Sequence, residues 1–352
     1  MPSKVLSDLG EKNLIQRILK KTKNLEYDSL FLNNKSLDSF GDDAALINLG
    51  EYYLVATTDM LFESKHFPKE MTFQQIGKKL VTVNVSDIAA MGAKPIGILV
   101  SMGLKKDMKV ENFDSIIDGI LMACSKYNAP LIGGDTNESD EITLSGTCLG
   151  IVKKDKVMMK KGAEVGDVVV VTGSIGLASA GFEFLFNKDQ PQLKEISNNF
   201  KELIISKALE PECPLKKAMK LSDSGYVTSA TDITDGLISE IGEIVKYSSE
   251  NVGITLYEKE LPIHSELNDL ARIIEKDPLE MALYYGEDFE LLLTVKKDKF
   301  NEIADKVTLY KIGEVNSSGQ IKIVYKDGKT NILTLRGYEH LGGVHEKRGN
   351  TI

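Results

Sequence analysis

The chain has 352 residues, with 43 basic against 52 acidic side chains and a formal net charge of −9. Its 42% apolar and 27% charged residues are a globular composition, and the length is that of two domains. The acidic balance argues against a nucleic-acid-binding face, and no run approaches the ~20 apolar residues of a membrane helix. Cys124, Cys148 and Cys213 are scattered without a CxxC pair, which argues against a disulfide scaffold or a structural zinc site. The charged N-terminus has no apolar signal core, so a soluble, cytoplasmic protein is expected.

Residues 10–22 read as an amphipathic helix with Leu14, Ile15 and Ile18 on one face. From Ala44 to Thr57, the runs AALINL and YYLVATT flank the turn residues Gly50 and Glu51, the grammar of a hairpin. A helix is predicted from about Thr72, with Phe73, Ile76, Leu80 and Val83 at helical spacing and Gly92 as its stop. Strand IGILVSMGL, helix NFDSIIDGILMACSKY, strand PLIGG and strand EITLSGTCLGIV complete an alternating α/β block. VMMKKGAEVGD then reads as a crossing between domains, with the boundary near residues 153–162. The buried-looking strand VVVVTG opens a second block that runs to about residue 335. VVVVTGSIGLASAG lacks the spacing and the later acid of a dinucleotide fingerprint. The GKT at 328–330 lacks the upstream glycine of a P-loop.

The informative pattern is the placement of aspartate in small-residue clusters: GDDAA (41–45), TTDM (57–60), NVSDIAAMG (84–92), GGDT (133–136) and TDITDGL (231–237). Four of the five are expected at or just after the C-terminal end of a strand, where α/β sheets open a crevice. Asp87 lies close to a helix end where the macrodipole disfavours an anion by ~0.3–1 kcal/mol, with Asn84 on the same face, so a compensating cation is expected. Exposure to solvent is the plainer alternative for Asp87, and a helix N-cap is one for Asp235. Converging carboxylates admit three readings: paired glycosidase acids, a Ca²⁺ site, or a multi-Mg²⁺ phosphoryl-transfer site. Glycosidases need only two such groups, and the contiguous Ca²⁺ loop is absent. Short carboxylates on separate loops beside Gly-rich segments fit Mg²⁺ and phosphate best.

GDDAAL, TTDML followed by His66, NVSDIAAMGAKP, LIGGDT, GAEVGD, DITDGL and GEDFELL occur in this order from about residue 9 to 341. The ordered set closely resembles the thiamine-phosphate kinase family, in the superfamily of aminoimidazole ribonucleotide synthetase. The resemblance implies an α/β fold of the α+β type with two domains. Residues 1–155 would form an N-terminal ATP- and Mg²⁺-binding domain whose sheet pairs across a homodimer. Residues 156–341 would form a C-terminal sheet covered by helices, followed by a tail, 342–352. The implied reaction is ATP-dependent phosphorylation of thiamine monophosphate to the diphosphate by direct in-line transfer, with several Mg²⁺ ions and no dedicated base. By motif, Asp43, Thr57, Thr58, Asp59, Asp87, Asp135, Asp232 and Asp235 match Mg²⁺-binding positions, with Asp42 as a helper. Gly134 and Thr234 match nucleotide contacts, and His66 and Glu287 match substrate contacts.

Two positions depart from the family pattern. Lys160 stands where the family usually has Arg, so an ATP contact there lacks the guanidinium fork. Leu335 replaces an aromatic two residues before Gly337-Tyr338, leaving Tyr338 or an apolar contact for the substrate ring. Other ATP-using enzymes of the superfamily are the nearest rivals. Residues 1–40 contain no Cys for a selenide dikinase, and the chain ends Asn350-Thr351-Ile352 with no C-terminal Cys for the hydrogenase-maturation relative. A non-catalytic nucleotide-binding regulator is the alternative from another class; an unused acidic cluster would repel itself.

Overall fold

The computed structural model describes residue 6 and residues 10–22, 41–249 and 251–336. Tyr338, the tail at 342–352 and most of residues 1–40 lie outside the described residues.

After helix α1 (Glu11–Thr22), the hairpin appears with its turn at Gly50 and Glu51: β1 (Ala45–Leu49) pairs antiparallel with β2 (Tyr52–Phe62). The second strand runs five residues past Thr57, because its alternating burial continues to Phe62 along a full-length pairing with β5. A short turn of helix, α2 (Glu63–His66), leads to α3 (Phe73–Ala90). The start and stop of α3 follow the local chemistry. The Thr72 hydroxyl accepts from the Gln75 N–H and the Gln75 side chain returns to the Thr72 N–H, a capping box. Gly92 follows the helix at φ +67°, a left-handed conformation suited to glycine. Strand β3 (Lys94–Leu104), helix α4 (Val110–Tyr127), β4 (Leu131–Glu138) and β5 (Thr143–Lys153) follow, and among the described residues the first sheet has five strands in the order β1-β2-β5-β3-β4. Within it, β3 and β4 run parallel and the other pairs antiparallel.

The remaining strands are β6 (Val168–Val171), β7 (Val227–Asp232), β8 (Gly253–Tyr257), β9 (Leu291–Val295), β10 (Tyr310–Asn316), β11 (Ile321–Val324) and β12 (Thr330–Ile332). Among the described residues they form a seven-stranded sheet in the order β12-β11-β8-β10-β6-β9-β7. Its central strands β6 and β9 are buried throughout, which explains the unbroken apolar runs VVVV and LLLTV. Helices α5 (Leu177–Phe186), α6 (Asn198–Leu209), α7 (Leu215–Ser224), α8 (Leu237–Tyr247), α9 (Leu267–Ile273), α10 (Pro278–Tyr284) and α11 (Phe300–Ala304) surround it.

Helix α3 joins the halves. One continuous core contains its Leu80, Val81 and Ile88, Val55 and Cys148 of the first sheet, Leu221 of α7, and Ala230, Leu291 and Leu293 of the second sheet. A separate core on the other face of the second sheet holds Ile238 and Ile241 of α8 against Val169 and Val171. The last turns of α3 therefore abut the end of β7, and polar side chains at that junction are held away from water.

Candidate active site

The junction gathers acids from distant parts of the chain. Asp43 lies just before β1, Asp87 on α3 and Asp232 at the end of β7; each offers a carboxylate oxygen, and these atoms lie within 4.8 Å of one another. Hydroxyl groups fix their orientation. Thr57 donates to Asp87, Thr231 to Asp43 Oδ1 at 3.0 Å, and Ser86 to Asp232 Oδ2 at 2.5 Å. On β2, the Asp59 N–H donates to Asn84 Oδ1 at 3.3 Å, so the asparagine three residues before Asp87 ties the strand to the helix. Asp42 accepts from the backbone N–H groups of Lys160 and Asp43.

The electrostatics are those of an anion cluster short of positive charge. Burial, then Asp59, Asp232 and Asp43, push Asp87 well above the usual carboxylate range. Burial and then Asp43 raise Asp232 to about 7 and Asp42 to about 7, while burial raises Asp59 to about 6. Glu240, one helical turn into α8, is pushed well above its normal range by burial, with Lys160 opposing and Asp235 adding to the shift. Lys160 meets the cluster with its ammonium 2.8 Å from Asp43 Oδ1. Burial works against that cation, but Asp43, Glu240 and Asp232 outweigh it and hold its pKa above the ordinary lysine range. Asp43 Oδ2 is buried with no hydrogen-bond partner among the described residues. That orphaned oxygen, beside two further carboxylates, fits a hard divalent cation such as Mg²⁺, which takes carboxylate oxygens.

The other expected residues fall into two groups. Asp235 follows β7 close to Glu240, whose Oε1 accepts the Asp235 N–H at 3.3 Å; the N-cap of α8 is Gly236, without a side-chain cap bond, so Asp235 does not cap that helix. Thr234 accepts at its carbonyl from the Glu287 N–H at 2.9 Å, as Ile233 does from the Phe289 N–H at 3.0 Å. This pairing brings the GEDFE loop against the aspartate loop. Gly286 permits it, since a Cβ there would sit 1.7 Å from the Thr234 oxygen. Glu287 itself adopts a left-handed φ of +66° and reaches Lys79, whose ammonium lies 2.9 Å from Glu287 Oε2 and 3.1 Å from the His66 carbonyl. Thus His66 and Glu287 share one buried lysine. The His66 ring accepts the Phe62 N–H at 2.9 Å through Nδ1.

Three expected residues stand apart from the cluster. Thr58 turns away, donating to the Gly146 carbonyl at 2.9 Å. Gly134 and Asp135 lie on β4, the far edge of the sheet. The register Met60–Ser145–Ser101–Asp135 puts Asp135 three strand spacings from β2, about 14 Å. Gly134 has a structural requirement of its own, because a Cβ there would lie 1.8 Å from the Val100 carbonyl. Leu335 packs over α8, within 2.5 Å of where a Gly242 Cβ would sit.

The expectation that four acidic clusters sit at strand C-termini is corrected. Only Asp232 and the loop after it do so; Asp59 and Asp135 lie within strands, Asp43 precedes β1, and Asp87 is on a helix. The first sheet is largely antiparallel, so it has no common carboxyl edge, and the crevice forms where α3 meets the second sheet. Sequence reasoning also passed over Lys79, Ser86 and Glu240. Lys79 and Glu240 had a readable signal: each occupies the apolar stripe of its helix, Ile76-Lys79-Leu80-Val83 and Leu237-Glu240-Ile241-Ile244.

A mixed two-sheet chain with an acidic, metal-competent centre at the junction of its halves is the AIR synthase-related architecture. The family models described as AIR synthase related protein, N-terminal domain and C-terminal domain, match residues 41–152 and 164–326. The thiamine-monophosphate kinase of Pyrococcus abyssi is 35% identical over 90% of this chain and 94% of its own length. That of Aquifex aeolicus is 30% identical over 95% of this chain and 99% of its own. The solved structure of AaThiL complexed with AMPPCP and TMP matches with a TM-score of 0.81 at 28% identity, covering 97% of this chain and 100% of that one. The chain belongs to the thiamine-monophosphate kinase family.

Proposed function

We propose that this protein transfers the γ-phosphoryl group of ATP directly, in line, to the phosphate of thiamine monophosphate, giving thiamine diphosphate and ADP, with several Mg²⁺ ions. The observation that carries the reading is the convergence of Asp43, Asp87 and Asp232, with Asp43 Oδ2 left without a hydrogen-bond partner among the described residues. It is joined by family membership and by the nucleotide analogue and TMP bound to a relative of the same fold. Asp43, Asp87 and Asp232, with Asp59, Asp235 and the Thr57 hydroxyl beside them, would hold the metal, which supplies charge neutralisation at the polyphosphate and the transferring group. The residues of the chain do the positioning. Thr57, Ser86 and Thr231 hold the carboxylates in place, Lys160 supplies a cation for phosphate oxygens, and the 233–235 loop with Thr234 lines the nucleotide side. Glu287 and His66, fixed through Lys79, face the acceptor, with Tyr338 assigned there by motif alone. The acceptor oxygen belongs to a phosphate with a second pKa near 6, so it is already ionised at neutral pH and no side chain need remove a proton.

Residues 1–155 and 156–341 are assigned to the two functional halves, in line with the two sheets. A homodimer joined through the N-terminal sheets is supported by β4, an edge strand exposed along its whole length, with Ile132 52% exposed. An uncovered edge strand of that length, with Leu131 and Ile132 exposed at its start, is an invitation to pair. Asp135 and Gly134 would then lie at the subunit boundary. A cytoplasmic location suits a biosynthetic enzyme of this kind, and among the described residues no helix is long and apolar enough to cross a membrane. The test is a substrate panel: purified protein with ATP, Mg²⁺ and either thiamine, thiamine monophosphate or formylglycinamidine ribonucleotide, with products separated chromatographically. Conversion of thiamine monophosphate alone is expected; turnover of another substrate without it refutes the reading.

A further inference from the structure

Lys160 is attached to the Asp42–Asp43 pair at two points. Its backbone N–H donates to both Asp42 oxygens, at 3.1 and 3.3 Å, and its ammonium sits 2.8 Å from Asp43 Oδ1. The side chains are 13% and 5% exposed, so the ion pair is largely shielded from water and salt. Asp43 Oδ2 meanwhile has no hydrogen-bond partner among the described residues, and the Asp43 carboxylate stands beside those of Asp87 and Asp232. The same carboxylate therefore holds an ammonium on Oδ1, keeps Oδ2 buried without a hydrogen bond, and has an oxygen within 4.8 Å of one each from Asp87 and Asp232. A divalent ion placed among these carboxylates would stand next to that ammonium in a site too dry to screen their repulsion. The backbone anchor on Asp42 keeps the Lys160 main chain in place, while four side-chain carbons leave the ammonium free to move.

We infer that the Lys160 ammonium is the resident counter-ion of the aspartate cluster when nucleotide is absent, and that it is handed over on binding: a divalent metal displaces it from Asp43, and nucleotide phosphates receive it. The inference rests on the metal site proposed above and adds its regulation. Metal and nucleotide then bind cooperatively through one side chain. Each removes a penalty that the other would meet alone, and the coupling is reciprocal. Asp43 discriminates between the two states because, among the described residues, it is the acid that forms an ion pair with the Lys160 ammonium and also belongs to the carboxylate cluster.

The test uses the full chain with Mn²⁺ as the probe, titrated by the electron paramagnetic resonance of the free ion, and AMPPCP binding by calorimetry at saturating Mn²⁺. For Lys160→Met, nucleotide-free Mn²⁺ affinity should rise about tenfold, while AMPPCP affinity in the presence of Mn²⁺ should fall about tenfold. Opposite signs for the two ligands are a signature that a merely structural lysine would not produce. Lys160→Arg keeps the charge and should hold nucleotide-free Mn²⁺ affinity within about threefold of the parent. Lys160→Gln replaces the Met variant if circular dichroism shows that the latter is misfolded. Unchanged or weakened nucleotide-free Mn²⁺ binding in the neutral variants overturns the handover while leaving the metal site standing. Absence of Mn²⁺ binding in the parent, with or without nucleotide, overturns both.

Discussion

Lys79 offers the most exposing test of how the two halves are held together. It is 1% exposed on α3 and its ammonium has two acceptors, Glu287 Oε2 and the His66 carbonyl, whereas Glu287 is 32% exposed. Removing either member of the pair should therefore have unequal costs. Lys79→Met keeps the aliphatic volume and leaves a carboxylate that water can reach, plus one orphaned carbonyl. Hydrogen bonds to charged groups contribute about 1.5–3 kcal/mol, and rehydration of Glu287 offsets part of that, so a loss of about 2 kcal/mol is expected. Glu287→Ala leaves a 1% exposed ammonium with the His66 carbonyl as its remaining acceptor among the described residues, and breaking a buried pair from that side costs about 3–5 kcal/mol. The double variant should cost about 2 kcal/mol less than the sum of the singles. The chain has no tryptophan, so urea unfolding is best followed by circular dichroism with the metal chelated. If Glu287→Ala proves cheaper than Lys79→Met, or if the two effects simply add, the buried-cation argument is wrong.

Two further outcomes follow from the acidic cluster. At alkaline pH, Asp87→Asn should raise the metal-free melting temperature by about 2–4 °C, because the amide keeps an acceptor for Thr57 and cannot take on the charge that burial, Asp59, Asp232 and Asp43 disfavour. It should also abolish most of the stabilisation by Mg²⁺ and lower turnover by orders of magnitude; scanning calorimetry with and without Mg²⁺ checks the first two. The second outcome concerns pH. Asp42 and Asp232, raised to about 7, and Asp59, raised to about 6, bind protons more tightly in the folded chain than in the unfolded one, where the carboxyl value is 3.8. The native state thus holds the extra protons, and stability without metal falls as pH rises from about 4 through about 7, by up to about 1.4 kcal/mol per unit for each titrating group. Metal binding must displace those protons, so stabilisation by Mg²⁺ grows over the same range. A metal-free melting temperature that is flat or rising from about pH 5 to about pH 7 would contradict the assigned shifts.

Much of the fold could be read because local chemistry and tertiary structure agree. The Gly50–Glu51 turn, the Thr72 capping box and the Gly92 stop act through backbone bonds within a few residues. The identity of the clustered acids was legible too, since aspartate recurs in small-residue settings that a core would not select. Their placement was not. An antiparallel sheet brings Asp59 into the site from mid-strand, and the register that carries Asp135 about 14 Å away is a property of strand order, invisible in any one segment. Lys79 and Glu240 were hidden for the opposite reason. Each breaks an apolar stripe, and its charged counterpart, Glu287 or Lys160, lies at least 80 residues away in the chain.

Helix α3 carries Lys79 at one end of the site and Asp87 at the other, eight residues apart and so about 12 Å along its axis. Whatever spans the site is measured against a rod whose length is set by a residue count. One residue inserted between Asn84 and Asp87 would advance everything beyond it by about 1.5 Å and turn it by about 100°, carrying Asp87 off the face it shares with Asn84. In this stretch, side chains can be exchanged one at a time, but the number of residues cannot change: the helix is a gauge as well as a support.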